Sequence, residues 1–183
     1  MPQNQTRASA ALRTDLLLVV FLIALDAVAR ILPHAPGFLP VAASALFAGR
    51  MLRIPGLALV VPVAAMTLSS PLLGAEDWRV LLVVYVAIAV PAVAGMWLRK
   101  HSGAALTVAA MVACSLIFFA ASNFAVWAFS DMYAHTMSGL TQCYVAALPF
   151  LDKTVMGDLF WTAVLFGGAW LVQNAPSLAR RAL

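Results

Sequence analysis

The sequence predicts an all-α integral membrane protein with six transmembrane helices, and three observations support this fold class. Of its 183 residues, 64% are hydrophobic and only 10% are charged, whereas soluble domains are about 45–50% apolar and about 25% charged. Long apolar runs, most of them close to the roughly 17–25 residues that cross a bilayer, follow one another along the chain. Basic residues recur at alternate turns between these runs, which is the pattern that the positive-inside rule requires.

Six apolar segments are the predicted spans. In chain order they cover residues 16–32, 38–49, 57–73, 80–98, 103–129 and 158–172, and the second is short. The fifth is about 40 Å long as a helix, exceeds the roughly 30 Å of hydrocarbon, and is expected to tilt or project outward. The chain therefore divides into an N-terminal tail (1–14), a single transmembrane domain (15–173) and a C-terminal tail (174–183).

Charge placement predicts that both tails are cytoplasmic and that the protein is a multi-pass component of a bacterial inner membrane. In that orientation eight of the eleven Lys and Arg residues are cytoplasmic, and basic short loops resist translocation. The external basic residues are Arg30, Arg79 and Lys153, and five acidic residues are also predicted outside: Glu76, Asp77, Asp131, Asp152 and Asp158. A signal peptide cleaved near residue 29 is the alternative for the first segment, but cleavage would leave five spans and reverse the basic turns.

The segment between the fifth and sixth spans is predicted to be a long external loop, residues 130–154, that is partly re-entrant. Its part 138–151 is apolar, contains Pro149 and is too short to span. A long loop of this composition is expected to fold back as a lid or as the floor of a cavity.

Polar and aromatic side chains on the predicted external side form the candidate binding site. Asn123, Trp127 and Asp131 follow one another at i+4 spacing, which places an amide, an indole and a carboxylate on one helix face. An interfacial aromatic anchor with a hydrogen-bonded asparagine is the alternative account of this face. The remaining candidates come from the following loop and from the Pro-rich first external loop; they are Tyr133, His135, Cys143 and His34.

Motifs of soluble enzymes are absent from the sequence, which has no Gly-rich phosphate loop, nucleophile elbow, His-Glu-x-x-His helix or Cys-x-x-Cys pair. We therefore expect no catalytic residue, metal or cofactor, and the scattered cationic residues give no nucleic-acid signal. An intramembrane enzyme with His135 as base and Cys143 as nucleophile is an alternative. Nothing in the sequence forces these two residues together.

Two features inside the predicted spans have a structural and a functional explanation. Asp26 lies deep in the first span, where a carboxylate costs about 2.5–3.5 kcal/mol, so it is a functional candidate by default. Pairing with Arg30, four residues on, is the favoured explanation. Ala105, Ala109 and Ala113 form a small-residue stripe, which we attribute to packing within the bundle. The stripe also supports an alternative function, a non-transporting partner or assembly subunit of a larger membrane complex.

Three parts of the sequence carry a resemblance to a known family: RILPHAPGFLPVAASALFAG, SNFAVWAF, and GLTQCYVAALPF followed by GDLF. They resemble an uncharacterised bacterial family of transport proteins that is itself similar to the substrate-binding S-components of energy-coupling-factor (ECF) vitamin transporters. The resemblance implies an S-component-like six-helix bundle with an external pocket, in which a micronutrient such as a vitamin or a cobalamin-type cofactor binds without being chemically changed. By position, the implied pocket residues are His34, Asn123, Trp127, Asp131, Tyr133, His135 and Cys143.

The resemblance also implies partners for the chain. These are a small-molecule solute, the lipid bilayer, and a transmembrane coupling subunit with two ATPases. S-components often dock their coupling subunit through an Ala-x-x-x-Ala pair on the first helix. Here that helix has Ala24, Ala27 and Ala29 instead, so a transporter that acts alone is an alternative.

Overall fold

The apolar runs of the sequence fold into six helices, and the all-α prediction is confirmed because the residues that the computed structural model describes form helices and connecting turns without a strand. These are residues 2–33, 37–73, 77–101 and 103–181, with side chains described for 9–33, 37–69, 77–101 and 103–175. The helices are α1 (Pro2–Ile31), α2 (Val41–Met51), α3 (Pro55–Leu73), α4 (Trp78–Leu98), α5 (Ala104–Phe129) and α6 (Met137–Arg181). The predicted tails are therefore largely helical, as extensions of α1 and α6.

Within the part of the chain that the structure describes, three helices are long and apolar enough to cross a membrane: α4, α5 and the part of α6 from Met137 to Ala175. Val41–Met51 and Pro55–Ser69 are shorter apolar helices. Large apolar side chains also cover the outside of the bundle, such as Leu17 on α1 and Val86 on α4. By length and composition, these helices indicate a membrane protein.

The short helix α2 lies at the centre and contacts all five other helices. Its sequence is rich in alanine, and eight of its eleven residues are buried. The closest approach is to α4, because a Cβ added to Gly49 would collide with the Ala92 carbonyl oxygen and one added to Gly95 would collide with that of Leu46. The two backbones are thus in direct contact, as small residues permit at helix crossings in membranes.

Helices α5 and α6 form an antiparallel hairpin joined by residues 130–136. The Tyr144 hydroxyl donates to the Ala120 carbonyl (2.7 Å), and further along the pair the Ser115 hydroxyl donates to Asp158 (2.6 Å). Contacts on both sides of Pro149 keep α6 continuous, although a proline removes one helical hydrogen bond. The prediction of a re-entrant loop is therefore wrong, because residues 137–154 belong to α6.

Basic side chains gather where α2 and α4 end and α5 begins. The Arg99 Nε donates to the Gly49 carbonyl (2.7 Å), and the backbone N–H of Arg53 donates to the buried Asp15 carboxylate (3.1 Å). We call this region, which carries Arg50, Arg53, Arg99 and Lys100, the basic end. The basic turns after the second and fourth predicted spans thus lie at the same end of the bundle, as the charge pattern predicts.

Candidate functional site

The predicted site residues on α5 and the start of α6 have their polar groups occupied by backbone carbonyls. The Asn123 Nδ2 donates to the Phe119 carbonyl (2.8 Å), and the Trp127 Nε1 donates to the Ala134 carbonyl (3.0 Å). The Cys143 thiol, which is buried, donates to the Asn123 carbonyl (3.4 Å). The bond of Asn123 lies within α5, whereas those of Trp127 and Cys143 fasten α5 to the turn and to α6. We call this region, residues 120–144, the hairpin tip.

The other predicted site residues that the structure describes lie in the turn between α5 and α6. Helix α5 ends at Phe129, so Asp131 does not continue the i+4 row and is exposed in the turn. Tyr133 is half-buried in the same turn, and the exposed His135 ring lies 5.9 Å from the Trp127 ring. His34 lies outside the described residues. The predicted i+4 face therefore does not extend to Asp131, whose part in binding stays a prediction, and Cys143 lies between two helices rather than in a loop.

A cavity of about 140 Å³ lies where all six helices meet, and we call it the central cavity. Its walls are mostly apolar, and α2, α3, α4 and α5 supply much of this surface. The polar side chains come from the two ends of the chain, Arg30 on α1 and Thr154 and Asp158 on α6. The apolar lining includes Leu39, Val41, Ala42, Met66, Val84, Ala87, Ile88, Pro91 and Phe118.

Asp158 is a buried carboxylate in the middle of α6, with only 4% of its surface exposed. The sequence pattern predicts Asp158 at the external start of the sixth span, whereas α6 begins nearly six turns earlier and Asp158 lies within it. The Ser115 hydroxyl donates to its Oδ2 (2.6 Å), and this is its one hydrogen bond among the residues described. The second oxygen, Oδ1, is therefore available to a ligand in the central cavity.

Arg30 lies at the C-terminal end of α1, where its Nε donates to the Ser69 hydroxyl of α3 (2.7 Å). This bond holds the guanidinium in the wall of the central cavity. The lining thus presents a cationic and an anionic side chain within an apolar surface. Such a combination fits a small solute with an apolar body and polar groups that face these two residues.

The end of the α1–α2 loop closes the cavity against α6. Gly37 adopts a positive φ of 80°, which favours glycine, and a Cβ there would lie 2.5 Å from the Thr154 Oγ1. On α6, a Cβ added to Gly157 would lie 2.9 Å from the Phe38 Cα. The rings of Phe38 and Phe160 are 5.2 Å apart and extend the contact. Two glycines thus permit the loop to lie directly on α6.

Helix α4 contributes a backbone feature to the same cavity. Pro91 lies inside α4 and lines the cavity together with Ala87. Because proline has no N–H, the Ala87 carbonyl lacks its usual helical donor. Irregular backbone at membrane depth is tolerated where it faces protein or a cavity.

Asp26 is a second buried carboxylate, with no exposed surface. Its Oδ1 accepts a hydrogen bond from the Ser44 hydroxyl of α2 (2.7 Å), and its Oδ2 has no hydrogen-bond partner within the described segments. The hydrogen bond comes from Ser44, which the local sequence pattern does not relate to Asp26, while the predicted partner, Arg30, interacts with Asp26 electrostatically. The pair ties α1 to α2 and lies outside the lining of the central cavity.

The alanine stripe on α5 faces outward. Ala105, Ala109 and Ala113 are all exposed, so the attribution to packing within the bundle is wrong. Within the described segments, no three His, Cys, Asp or Glu side chains are grouped so that they could hold a metal ion.

No curated protein and no solved structure matches the chain. One family model matches residues 10–179 and so covers most of α1, all of α2 to α5 and α6 almost to its end. The chain therefore belongs to DUF6580, a family of unknown function.

Proposed function

We propose that this protein is a membrane component that binds a small solute in the central cavity, for uptake across a bacterial inner membrane. One observation carries the proposal, a cavity lined by all six helices in which an arginine and an aspartate interrupt an apolar wall. Ligand sites in helix bundles lie between helices and combine an apolar lining with a few polar groups that fix orientation.

The size of the central cavity narrows the class of solute. Its volume of about 140 Å³ is close to that of an apolar cavity that holds benzene. Drug-sized ligands need roughly 300–1,000 Å³. We therefore favour a solute of benzene-like size with an acceptor group toward Arg30 and a donor group toward Asp158. The cavity does not favour a cobalamin-type cofactor, which is far larger.

The transport part of the proposal rests on the resemblance to proteins similar to ECF S-components. In this proposal both termini are cytoplasmic, and the solute is delivered without a chemical change. The energy comes through a coupling subunit with ATPases, or the protein acts alone.

A cavity-filling variant tests the proposal. Ala87→Leu adds three carbons at a buried position in the wall of the cavity, and Val86→Leu is the matched control because Val86 is exposed on the same helix. The measurement is the melting temperature of detergent-purified protein with a panel of small amines, amino acids and carboxylates, followed by proteoliposome uptake of any solute that stabilises the protein. We expect one class of solute to stabilise the wild type and Val86→Leu but not Ala87→Leu. Equal stabilisation of Ala87→Leu, or no stabilisation by any solute, would contradict the proposal.

The exposed stripe of Ala105, Ala109 and Ala113 supports a second candidate function, a partner subunit of a larger membrane complex. Small residues permit another transmembrane helix to approach closely. Ala109→Phe would then abolish co-purification with other membrane proteins while Leu116→Phe, also exposed on α5, would not. If the purified chain carries no other protein, this candidate is contradicted.

A further inference from the structure

A second cavity, of about 630 Å³, lies at the basic end between the start of α5 and the last part of α6. We call it the α5–α6 groove. Phe166 and Trp170 contribute to its apolar walls, and its polar side chains include Arg50, Thr107 and Thr162. It is separate from the central cavity, with which it shares no lining residue.

The Thr162 hydroxyl in this groove has no partner among the described residues. Only 4% of Thr162 is exposed, and none of these residues forms a hydrogen bond with its Oγ1. Threonine hydroxyls in helices commonly bond the carbonyl four residues earlier, as those of Thr107 and Thr154 do here. A buried hydroxyl without a partner costs about 1–3 kcal/mol. This unsatisfied group therefore indicates a ligand with a polar atom at that depth.

Arg50 supplies positive charge to the lining of the groove. The Arg50 Nη1 donates to the Thr107 Oγ1 (3.3 Å), and the guanidinium lies 5.8 Å from the centroid of the Phe166 ring. Among the described residues Thr107 is its one hydrogen-bond acceptor, so other guanidinium N–H groups are open to a ligand. Helix α5 begins at the same place, and Gly103 has no side chain to cap it. Its first N–H groups thus lack helical acceptors and favour an anion.

We infer that the α5–α6 groove binds an anionic phospholipid, with the phosphate between Arg50 and the start of α5. An acyl chain lies along the apolar wall, which leads out to the exposed Trp170, and a glycerol ester oxygen meets the Thr162 hydroxyl. The neighbouring Arg53, Arg99 and Lys100 place this site at the end of the bundle that an anionic leaflet attracts. Basic pockets between transmembrane helices on that side bind anionic headgroups.

Lipid retention measured by native mass spectrometry tests this inference. The probes are palmitoyl-oleoyl phosphatidylglycerol and the matched phosphatidylcholine, added to delipidated protein in detergent. We expect the wild type to prefer phosphatidylglycerol, and Arg50→Gln to reduce that preference about fivefold, the value of one cationic residue at a lipid headgroup. Thr162→Val should weaken retention of both lipids about three- to tenfold. Lys100→Gln is the control, because it removes one charge at the same end but outside the groove.

A second measurement keeps the inference testable if a variant folds poorly. Thr162→Val removes an unsatisfied hydroxyl, so the melting temperature of the lipid-free variant should equal or exceed that of the wild type. Three results would overturn the inference. The first is a wild type that shows no preference for phosphatidylglycerol, and the second is a loss of that preference in Lys100→Gln as large as in Arg50→Gln. The third is stabilisation by soluble glycerol phosphate as strong as that by phosphatidylglycerol, which would indicate that the groove binds a soluble anion.

Discussion

The hairpin tip and the central cavity both bring polar and aromatic side chains together, but they differ in how the hydrogen-bonding groups are satisfied. At the tip, Asn123 and Trp127 donate to backbone carbonyls of the same hairpin. In the cavity, Ser115 engages a single oxygen of Asp158, and the surrounding wall is apolar. A polar group that the fold satisfies has a structural role, whereas a buried one with spare capacity is costly until a ligand meets it. This comparison supports the proposal that a solute binds in the cavity rather than at the tip.

The largest expected effect comes from forcing the α1–α2 loop off α6. Gly157→Val would push a side chain into the Phe38 backbone, and overpacking of this kind costs about 1–3 kcal/mol. We expect a lower melting temperature and loss of stabilisation by solute, because the loop closes the central cavity. Gly168→Val, on the same helix, is the control, because a Cβ added to Gly168 would have no neighbour within 4 Å. Retained solute binding in Gly157→Val would show that this closure is dispensable.

Several helices could be predicted from the sequence because the residues that begin and end them lie directly beside the apolar runs. Helices α3, α4 and α5 begin within about two residues of the predicted spans, since long apolar runs are bounded there by proline, glycine or charged residues. The start of α6 was mispredicted because Pro149 and the polar residues before it resemble a loop. What keeps this part helical is its packing along α5, which depends on residues far away in the sequence.

The central cavity was not predicted because its polar residues are distant from one another in the chain. Arg30 and Asp158 come from the first and last helices, and no spacing rule relates them. None of the described residues in the predicted site lines this cavity. The rule that singles out Asp26, an acid within an apolar helix, applies equally to Asp158 once Asp158 lies inside the helix rather than at its first residue.

Asp158→Asn is expected to separate solute affinity from stability. The amide retains a hydrogen-bonding group for Ser115 but loses the charge that a donor group of the solute would meet. Hydrogen bonds to charged groups are worth about 1.5–3 kcal/mol, so affinity should fall by roughly tenfold or more. The melting temperature should hold or rise, because a buried charge is removed. Asp131→Asn, in the exposed turn, should change neither quantity. Unchanged affinity in Asp158→Asn would exclude the carboxylate from the site.

A substitution at the hairpin tip should give the opposite separation. Trp127→Phe removes the donor to the Ala134 carbonyl and should lower the free energy of unfolding by about 1 kcal/mol. Solute affinity, measured by isothermal calorimetry, should stay within about twofold of the wild type. A twofold change in affinity corresponds to much less than the roughly 1.4 kcal/mol of a tenfold change. Trp78→Phe is the control, since Trp78 is exposed outside the tip. A large loss of affinity at unchanged stability would return the binding site to the tip.

The smallest effect is expected from Cys143, the residue on which the enzyme alternative depends. Its thiol is buried between α5 and α6 and donates a long bond to the Asn123 carbonyl (3.4 Å). A buried cysteine in this setting acts as a small hydrophobe, so Cys143→Ala should lower stability by under about 1 kcal/mol and leave solute affinity unchanged. Cys114→Ala is the informative partner, because Cys114 lines the central cavity and its loss should weaken binding by removing a contact with the solute. If Cys143→Ala instead abolishes every effect of the solute while the protein stays folded, the thiol takes part in the function of the site. The hairpin tip would then not be purely structural, and the distinction drawn between the tip and the central cavity would be wrong.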